Sequence, residues 1–212
     1  IANKKNYHVD ELLTYQLANS FRGYMTPVDG DNYYPSDKAW MEYLTVQNGY
    51  EFDYNNVWKN QEADVHPPIY YVLLHTICSF TPEKFTVWQA GLINIIFSIL
   101  TLWVVRELLF ELTLNRTVVF EGTVFFVLSV GTLSAASFFR MYIMVMFELT
   151  YITLLFVKNI GKNCTLRFYI SIVITAMIGA LTHYYFLIYL LFLCLIYGIY
   201  LLIHRKFKDM II

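Results

Sequence analysis

The residues of this chain best suited to chemistry are three acids, a histidine and a single arginine. Asp10 and Glu11 are adjacent acids, and Asp64 stands two residues before His66. A carboxylate can take a proton from an acceptor hydroxyl or amine, and a nearby cation can neutralise the charge that develops on a departing phosphate. With Arg140 added, these residues are the set that a transferase acting on a lipid phosphate requires.

Arg140 and His183 each interrupt a long apolar run. A charge within hydrocarbon costs several kcal/mol unless it reaches an interface or an anionic partner, so Arg140 is by default a candidate functional residue. The alternative is that its side chain extends to the membrane surface and only anchors the helix there. For His183 the alternative is a hydrogen-bonded packing residue.

The acids also have structural interpretations. Asp10 and Glu11 fall at the predicted start of a helix, where negative charge interacts favourably with the helix dipole. Asp64 precedes Pro67 and Pro68, and a proline at a helix start makes Asp64 a candidate cap. A cap and a catalytic role are compatible in one residue.

Composition indicates that the elements which position these residues are membrane helices. The chain is 58% hydrophobic and 15% charged, with a mean hydropathy of +0.48, which is too apolar for an ordinary soluble domain. Residues 1–66 hold 10 of the 16 acids but 5 of the 15 bases, so a polar segment precedes a membrane domain. A net charge of −1, with no Lys/Arg cluster outside the short loops, gives no reason to expect nucleic acid binding. The three cysteines are far apart, which indicates neither disulfides nor a thiolate metal site.

About 20 apolar residues are needed to cross ~30 Å of hydrocarbon. The sequence therefore predicts an all-α polytopic membrane protein with about five spans in residues 86–212, with residues 67–85 forming a re-entrant or interfacial helix and turn. These spans are 86–110, 118–139, 142–160 and a stretch, 169–203, that divides into two helices at His183.

Basic residues mark cytoplasmic loops, and they occur here in three clusters that include Arg116, Lys162 and Lys206. If all three clusters are cytoplasmic, residues 1–66 form an extracytoplasmic loop on the same face as the turn at Arg140 and His183. Within this loop the spacing predicts an amphipathic helix over 9–22 lying flat on the bilayer. Two more short helices are predicted, one from Ser36 and one over 52–62. The sequons at Asn115 and Asn163 fall on the cytoplasmic side and should carry no glycan.

Four short motifs resemble those of GT-C glycosyltransferases, and family 39 in particular. Residues 8–15, HVDELLTY, look like the acidic motif of the first extracytoplasmic loop, and residues 64–71, DVHPPIYY, are similar to the His-Pro-Pro motif that closes it. Residues 139–142, FRMY, resemble an Arg/Tyr turn, and residues 182–185, THYY, fall where some relatives carry a metal-binding histidine. Protein O-mannosyltransferases and lipid A aminoarabinose transferases belong to the same group.

The resemblance implies a fold, an activity and a role for each residue. The donor would be a polyprenyl-phosphate-linked sugar, and the acceptor an extracytoplasmic protein, lipid or wall polymer. Asp10 would be the general base, and Glu11 and Asp64 would position it or bind a metal. The residues expected to bind the substrate are His66, Arg140, Tyr142 and His183.

A divalent metal, Mg²⁺, Mn²⁺ or Zn²⁺, is implied at Asp10, Asp64 and His183 by the same resemblance. The chain departs from some relatives at two positions, with Val65 where they have a glutamate and no aspartate following the tyrosine of the turn at Arg140. The resemblance also implies that the chain is a fragment of a multi-pass cell-membrane enzyme that lacks at least one preceding helix.

Two other classes stay open at this stage. A transporter or channel could use Arg140 with Glu121 and Glu148, which also lie in apolar runs, although transporters place charged sites near the bilayer midplane. A non-catalytic homologue could serve as an assembly subunit.

Overall fold

The computed structural model describes residues 4–21, 23 and 36–206, without the side chains of 36–38. Within these residues the chain forms ten helices and no strand. They are α1 (Val9–Asn19), α2 (Ser36–Leu44), α3 (Tyr54–Glu62), α4 (Ile69–Ser79), α5 (Val87–Thr113), α6 (Arg116–Leu128), α7 (Val130–Ser137), α8 (Tyr142–Asn159), α9 (Leu166–Thr182) and α10 (Tyr184–Ile203). The chain divides into two compact units, the first within Ile1–Ile96 and Ser134–Tyr142, the second within Phe97–Leu133 and Ile143–Ile212.

Helix α1 is the centre of the first unit and packs against α2, α3 and α4. The expected helix is confirmed, although it ends at Asn19 rather than at residue 22. Polar and apolar residues alike are buried along its second half, whereas Val9 at its start is 61% exposed. Hydrogen bonds to neighbouring helices hold this second half: the Asn19 amide donates to the backbone oxygen of Leu44 at 2.8 Å, and Asn60 of α3 donates to the backbone oxygen of Leu17 at 3.2 Å.

Helix α4 has the short length expected between the polar segment and the first span. It follows Pro68 and runs for 11 residues, roughly half of what a membrane crossing needs. Tyr70, Tyr71 and Leu74 are fully buried on it. The Tyr70 hydroxyl donates to Asn94 Oδ1 at 3.2 Å, and the Asn94 amide donates to the backbone oxygen of Phe138 at 2.8 Å. Asn94 of α5 thus holds the turn that follows α7.

Of the described helices, three are long and apolar enough to cross a membrane: α5, α8 and α10. Over the residues that the structure describes, the protein is therefore all-helical, with three helices that could span a membrane. The predicted span over 118–139 is not one continuous helix, because α6 and α7 meet at a bend of 53° and form either a broken span or a re-entrant loop. Ser129 between them has extended backbone angles, and its hydroxyl accepts from the backbone N–H of Thr132 at 3.3 Å, so it ends one helix and caps the next. Counted as one broken span, this pair raises the number to four.

The predicted division of the last apolar stretch at His183 is confirmed. The residue has an extended backbone, its N–H donates to the oxygen of Gly179 at 3.0 Å, and its Nδ1 accepts from the backbone N–H of Tyr185 at 3.1 Å. His183 thus caps the end of α9 and the start of α10. Helix α9, with 17 residues, begins three residues before the predicted start and is one of the shorter apolar helices, not one of the candidate spans.

The second unit has an aromatic core and one buried acid. Its core comprises Ile152, Phe156, Phe168, Phe186, Tyr197 and Leu201. Glu148 is buried, and its Oε1 accepts from the Thr182 hydroxyl at 2.7 Å, so its partner is a hydroxyl and not a basic group. Glu121 is exposed on α6.

Candidate functional site

Arg140 connects the two acidic motifs of the polar segment. Its side chain is 8% exposed, one guanidinium nitrogen (NH1) lies 3.2 Å from Asp10 Oδ2, and the other (NH2) lies 3.2 Å from His66 Nε2. The guanidinium has five N–H donors in a fixed planar arrangement, which allows one side chain to bind two partners at once. The fold of the first unit therefore brings together three of the four motifs singled out in the sequence.

His66 is oriented by Asp64. Its Nδ1 lies 2.8 Å from Asp64 Oδ2, and the side chain of Asp64 is 11% exposed. A carboxylate only accepts, so Nδ1 carries the proton, and Nε2 then has the lone pair that accepts from Arg140. The result is one hydrogen-bonded series, Asp64–His66–Arg140–Asp10, which we call the Arg140 cluster.

Glu11 is enclosed and saturated with donors, since its side chain is 1% exposed. Its Oε1 accepts from the backbone N–H of Phe139 at 2.7 Å and from Lys4 Nζ at 3.0 Å, and its Oε2 accepts from the backbone N–H of His8 at 2.8 Å. The bond to Phe139 fixes the residue next to Arg140. Glu11 is therefore a positioning residue that joins α1 to the turn.

Asp10 is the most accessible carboxylate of the cluster, with a side chain 39% exposed. Its close contacts, to Arg140 and at 3.6 Å to His8 Nδ1, are both made by Oδ2. No residue in the described part of the chain contacts Oδ1. A carboxylate held by one oxygen and open at the other suits a group that takes a proton from a bound acceptor.

Two tyrosines lie beside the guanidinium. Its central carbon is 5.9 Å from the ring centre of Tyr142, at the far end of the range for a cation–π contact. Burial raises the pKa of the Tyr71 hydroxyl, and the charge of Arg140 opposes that shift. Arg140 Nε is also buried and has no hydrogen-bond partner among the described residues. The guanidinium thus has the Tyr142 ring at cation–π range and the Tyr71 hydroxyl within reach of its charge.

Two residues of this site were missed from the sequence. Lys4 lies against the Phe139 ring at 5.0 Å and donates to the backbone oxygen of Ser137 at 3.2 Å, in addition to its ion pair with Glu11. His8 caps α1: its Nδ1 accepts from the backbone N–H of Asp10 at 3.2 Å. The spacing of His8 and Glu11 matches the reciprocal capping pattern usually seen with serine or threonine, and that spacing was the available signal. Nothing local indicated Lys4.

His183, the fourth motif, belongs to the second unit. Among residues 4–21, 23 and 36–206, no three His, Cys, Asp or Glu side chains are grouped so that they could hold a metal ion. The divalent metal expected at Asp10, Asp64 and His183 stays a prediction.

The chain matches no protein-family model, no curated protein and no solved structure. A proposal for the function of this chain therefore rests on the motif resemblance and on the geometry of the first unit.

Proposed function

We propose that this chain is a membrane glycosyltransferase of the GT-C type, which transfers a sugar from a polyprenyl phosphate to an extracytoplasmic acceptor. The observation that supports this is the Arg140 cluster, in which a partly exposed carboxylate and a buried guanidinium come from separate motifs and meet. Deprotonation of an acceptor and stabilisation of a phosphate leaving group need these two groups side by side.

Asp10 acts as the general base in this proposal. The acceptor hydroxyl or amine gives its proton to the open oxygen, Oδ1, while its own oxygen or nitrogen forms a bond to the anomeric carbon of the sugar. The bond between that carbon and the phosphate oxygen breaks, and the electron pair leaves with the polyprenyl phosphate. The ion pair to Arg140 orients Asp10 for this step.

Arg140 stabilises the negative charge that grows on the departing phosphate. It is in a largely desolvated position, where electrostatic interactions are stronger than in water. Glu11 and Asp64 act through other groups, because Glu11 holds the turn and Asp64 orients His66. Each therefore affects the rate by keeping the guanidinium in place.

An isosteric substitution of the base tests the proposal. We expect Asp10→Asn to lower the turnover of a polyprenyl-phosphate sugar by about 10²–10⁴-fold, with donor affinity and melting temperature largely kept. Glu62→Gln is the matched control, because Glu62 is an exposed acid at the end of α3 outside the cluster.

The measurements are single-turnover transfer by purified protein in nanodiscs and a cell-surface glycan profile. Near-wild-type turnover in Asp10→Asn, together with loss in Asp64→Asn, would assign the base to the other carboxylate. If the unsubstituted protein does not turn over the donor, the transferase proposal is rejected. A transporter or a non-catalytic homologue then remains.

A further inference from the structure

A cavity of about 500 Å³ lies in the second unit between the end of α5 and the start of α6. It is lined by Arg106, Phe110, Arg116, Val119, Phe120 and Thr123. Its volume is within the range of small-molecule sites, roughly 300–1,000 Å³. It is separate from the Arg140 cluster, and nothing in the proposed transfer reaction uses it.

The lining residues come from one face of α5 and one face of α6. Those of α6 recur at the spacing of one face, from Arg116 to Thr123, and Arg106 and Phe110 are four residues apart on α5. The helices approach closely at Gly122, where an added Cβ would lie 3.0 Å from Leu109 Cδ1. Glu121 lies on a different face of α6 from the lining residues. The cavity wall thus holds two guanidinium groups and no carboxylate.

The two arginines that line the cavity differ in their ionic partners. Arg106 is paired with Glu107, and Lys158 lies 3.8 Å from both Glu107 and Glu111. Arg106 therefore already has an acid beside it. Arg116 has no ionic partner among the residues that the structure describes, and it stands in the first turn of α6, where the helix dipole disfavours a cation.

We propose that this cavity binds the phosphate of an anionic membrane phospholipid. A phosphodiester carries the single negative charge that Arg116 lacks, and the guanidinium fork matches its oxygens. The walls of Phe110, Val119 and Phe120 accommodate the first carbons of the acyl chains. A free phosphate ion would leave these apolar walls in contact with water, so the lining favours a lipid over a soluble anion.

The proposal is tested by lipid binding to the purified full chain. The protein is placed in detergent micelles, and the apparent Kd is measured for fluorescently labelled phosphatidylglycerol and for phosphatidylcholine carrying the same label. We expect phosphatidylglycerol to bind about tenfold more tightly, and Arg106→Gln with Arg116→Gln to remove that difference. Arg167→Gln is the matched control, because Arg167 is an exposed arginine in the first turn of α9.

Three results would overturn the proposal. The unsubstituted protein could show no preference for phosphatidylglycerol, or Arg167→Gln could reduce the preference as much as the cavity variants do, which would indicate surface charge in general. Inorganic phosphate at millimolar concentration could displace the labelled lipid, which would assign the cavity to a soluble anion. The melting temperatures of all variants are compared to check that each one folds. Arg116→Lys keeps the positive charge but not the planar guanidinium, so it should lose part of the preference for phosphatidylglycerol.

Discussion

Arg140 binds Asp10 with one guanidinium nitrogen and His66 with another, while its side chain is almost completely enclosed. A role in binding a phosphate and a role in anchoring the helix differ in what a lysine at this position should do. A lysine can supply one point charge but cannot bind both partners in the same plane. We therefore expect Arg140→Lys to raise the apparent KM for the polyprenyl-phosphate sugar about tenfold or more, measured in nanodiscs. Unchanged donor kinetics would return Arg140 to anchoring the helix; Arg167→Lys is the control.

Glu11 accepts from two backbone N–H groups in a buried position, and removing it leaves both without an acceptor. We expect Glu11→Ala to lower the free energy of unfolding by about 2–3 kcal/mol, because an unsatisfied buried donor carries its full desolvation cost. Glu11→Gln should lose less, since its amide oxygen still accepts from Phe139 while its NH₂ group faces the donor of His8. Melting temperatures in detergent check this order, with Glu62→Gln as the exposed control. A melting temperature equal to wild type in Glu11→Ala would contradict the positioning role.

At the scale of helices, the pairing of α9 and α10 depends on one glycine. A Cβ added at Gly179 would lie 2.5 Å from the ring of Phe186, which is fully buried in the aromatic core. We expect Gly179→Ala to destabilise the protein by about 1–3 kcal/mol, as overpacking does. Gly198→Ala on α10 is the matched control, because its Cβ would meet nothing within 4 Å and alanine is the better helix former. Thermal unfolding in the same detergent compares the two, and equal melting temperatures would contradict the close approach.

At the scale of the whole molecule, we predict on which side of the membrane the polar segment 1–66 and the basic loops lie. From the distribution of basic loops we expect residues 1–66 outside and Lys162 and Lys206 inside. In a background free of native cysteines, a membrane-impermeant maleimide should label Lys59→Cys in intact cells and should label Lys162→Cys only after permeabilisation. Lys59 is exposed on α3, which makes it a suitable reporter. The reverse pattern would place the Arg140 cluster in the cytoplasm and would contradict an extracytoplasmic transfer reaction.

The sequence by itself determined the helices, their approximate ends and several residues of the candidate site. Apolar runs and caps are local features, so the break at His183 and the short helix after Pro68 could be predicted from neighbouring residues. The residue types that could deprotonate an acceptor or bind a phosphate could also be recognised, because each is unusual in its own segment. Their grouping was only implied by a motif resemblance.

Only the tertiary structure decided which of these residues meet. Arg140 binds His66 across 74 residues of sequence, and Phe139 binds Glu11 across 128, and no spacing rule reaches that far. The apolar stripe of α1 is visible locally, whereas the burial of its second half depends on partners such as Asn60, which comes from another helix. The bend at Ser129, by contrast, follows from a local cap that the apolar pattern alone does not show. Periodicity reports the conformation of a segment, but the partner of a buried polar group is set by segments that are distant in sequence and close in space.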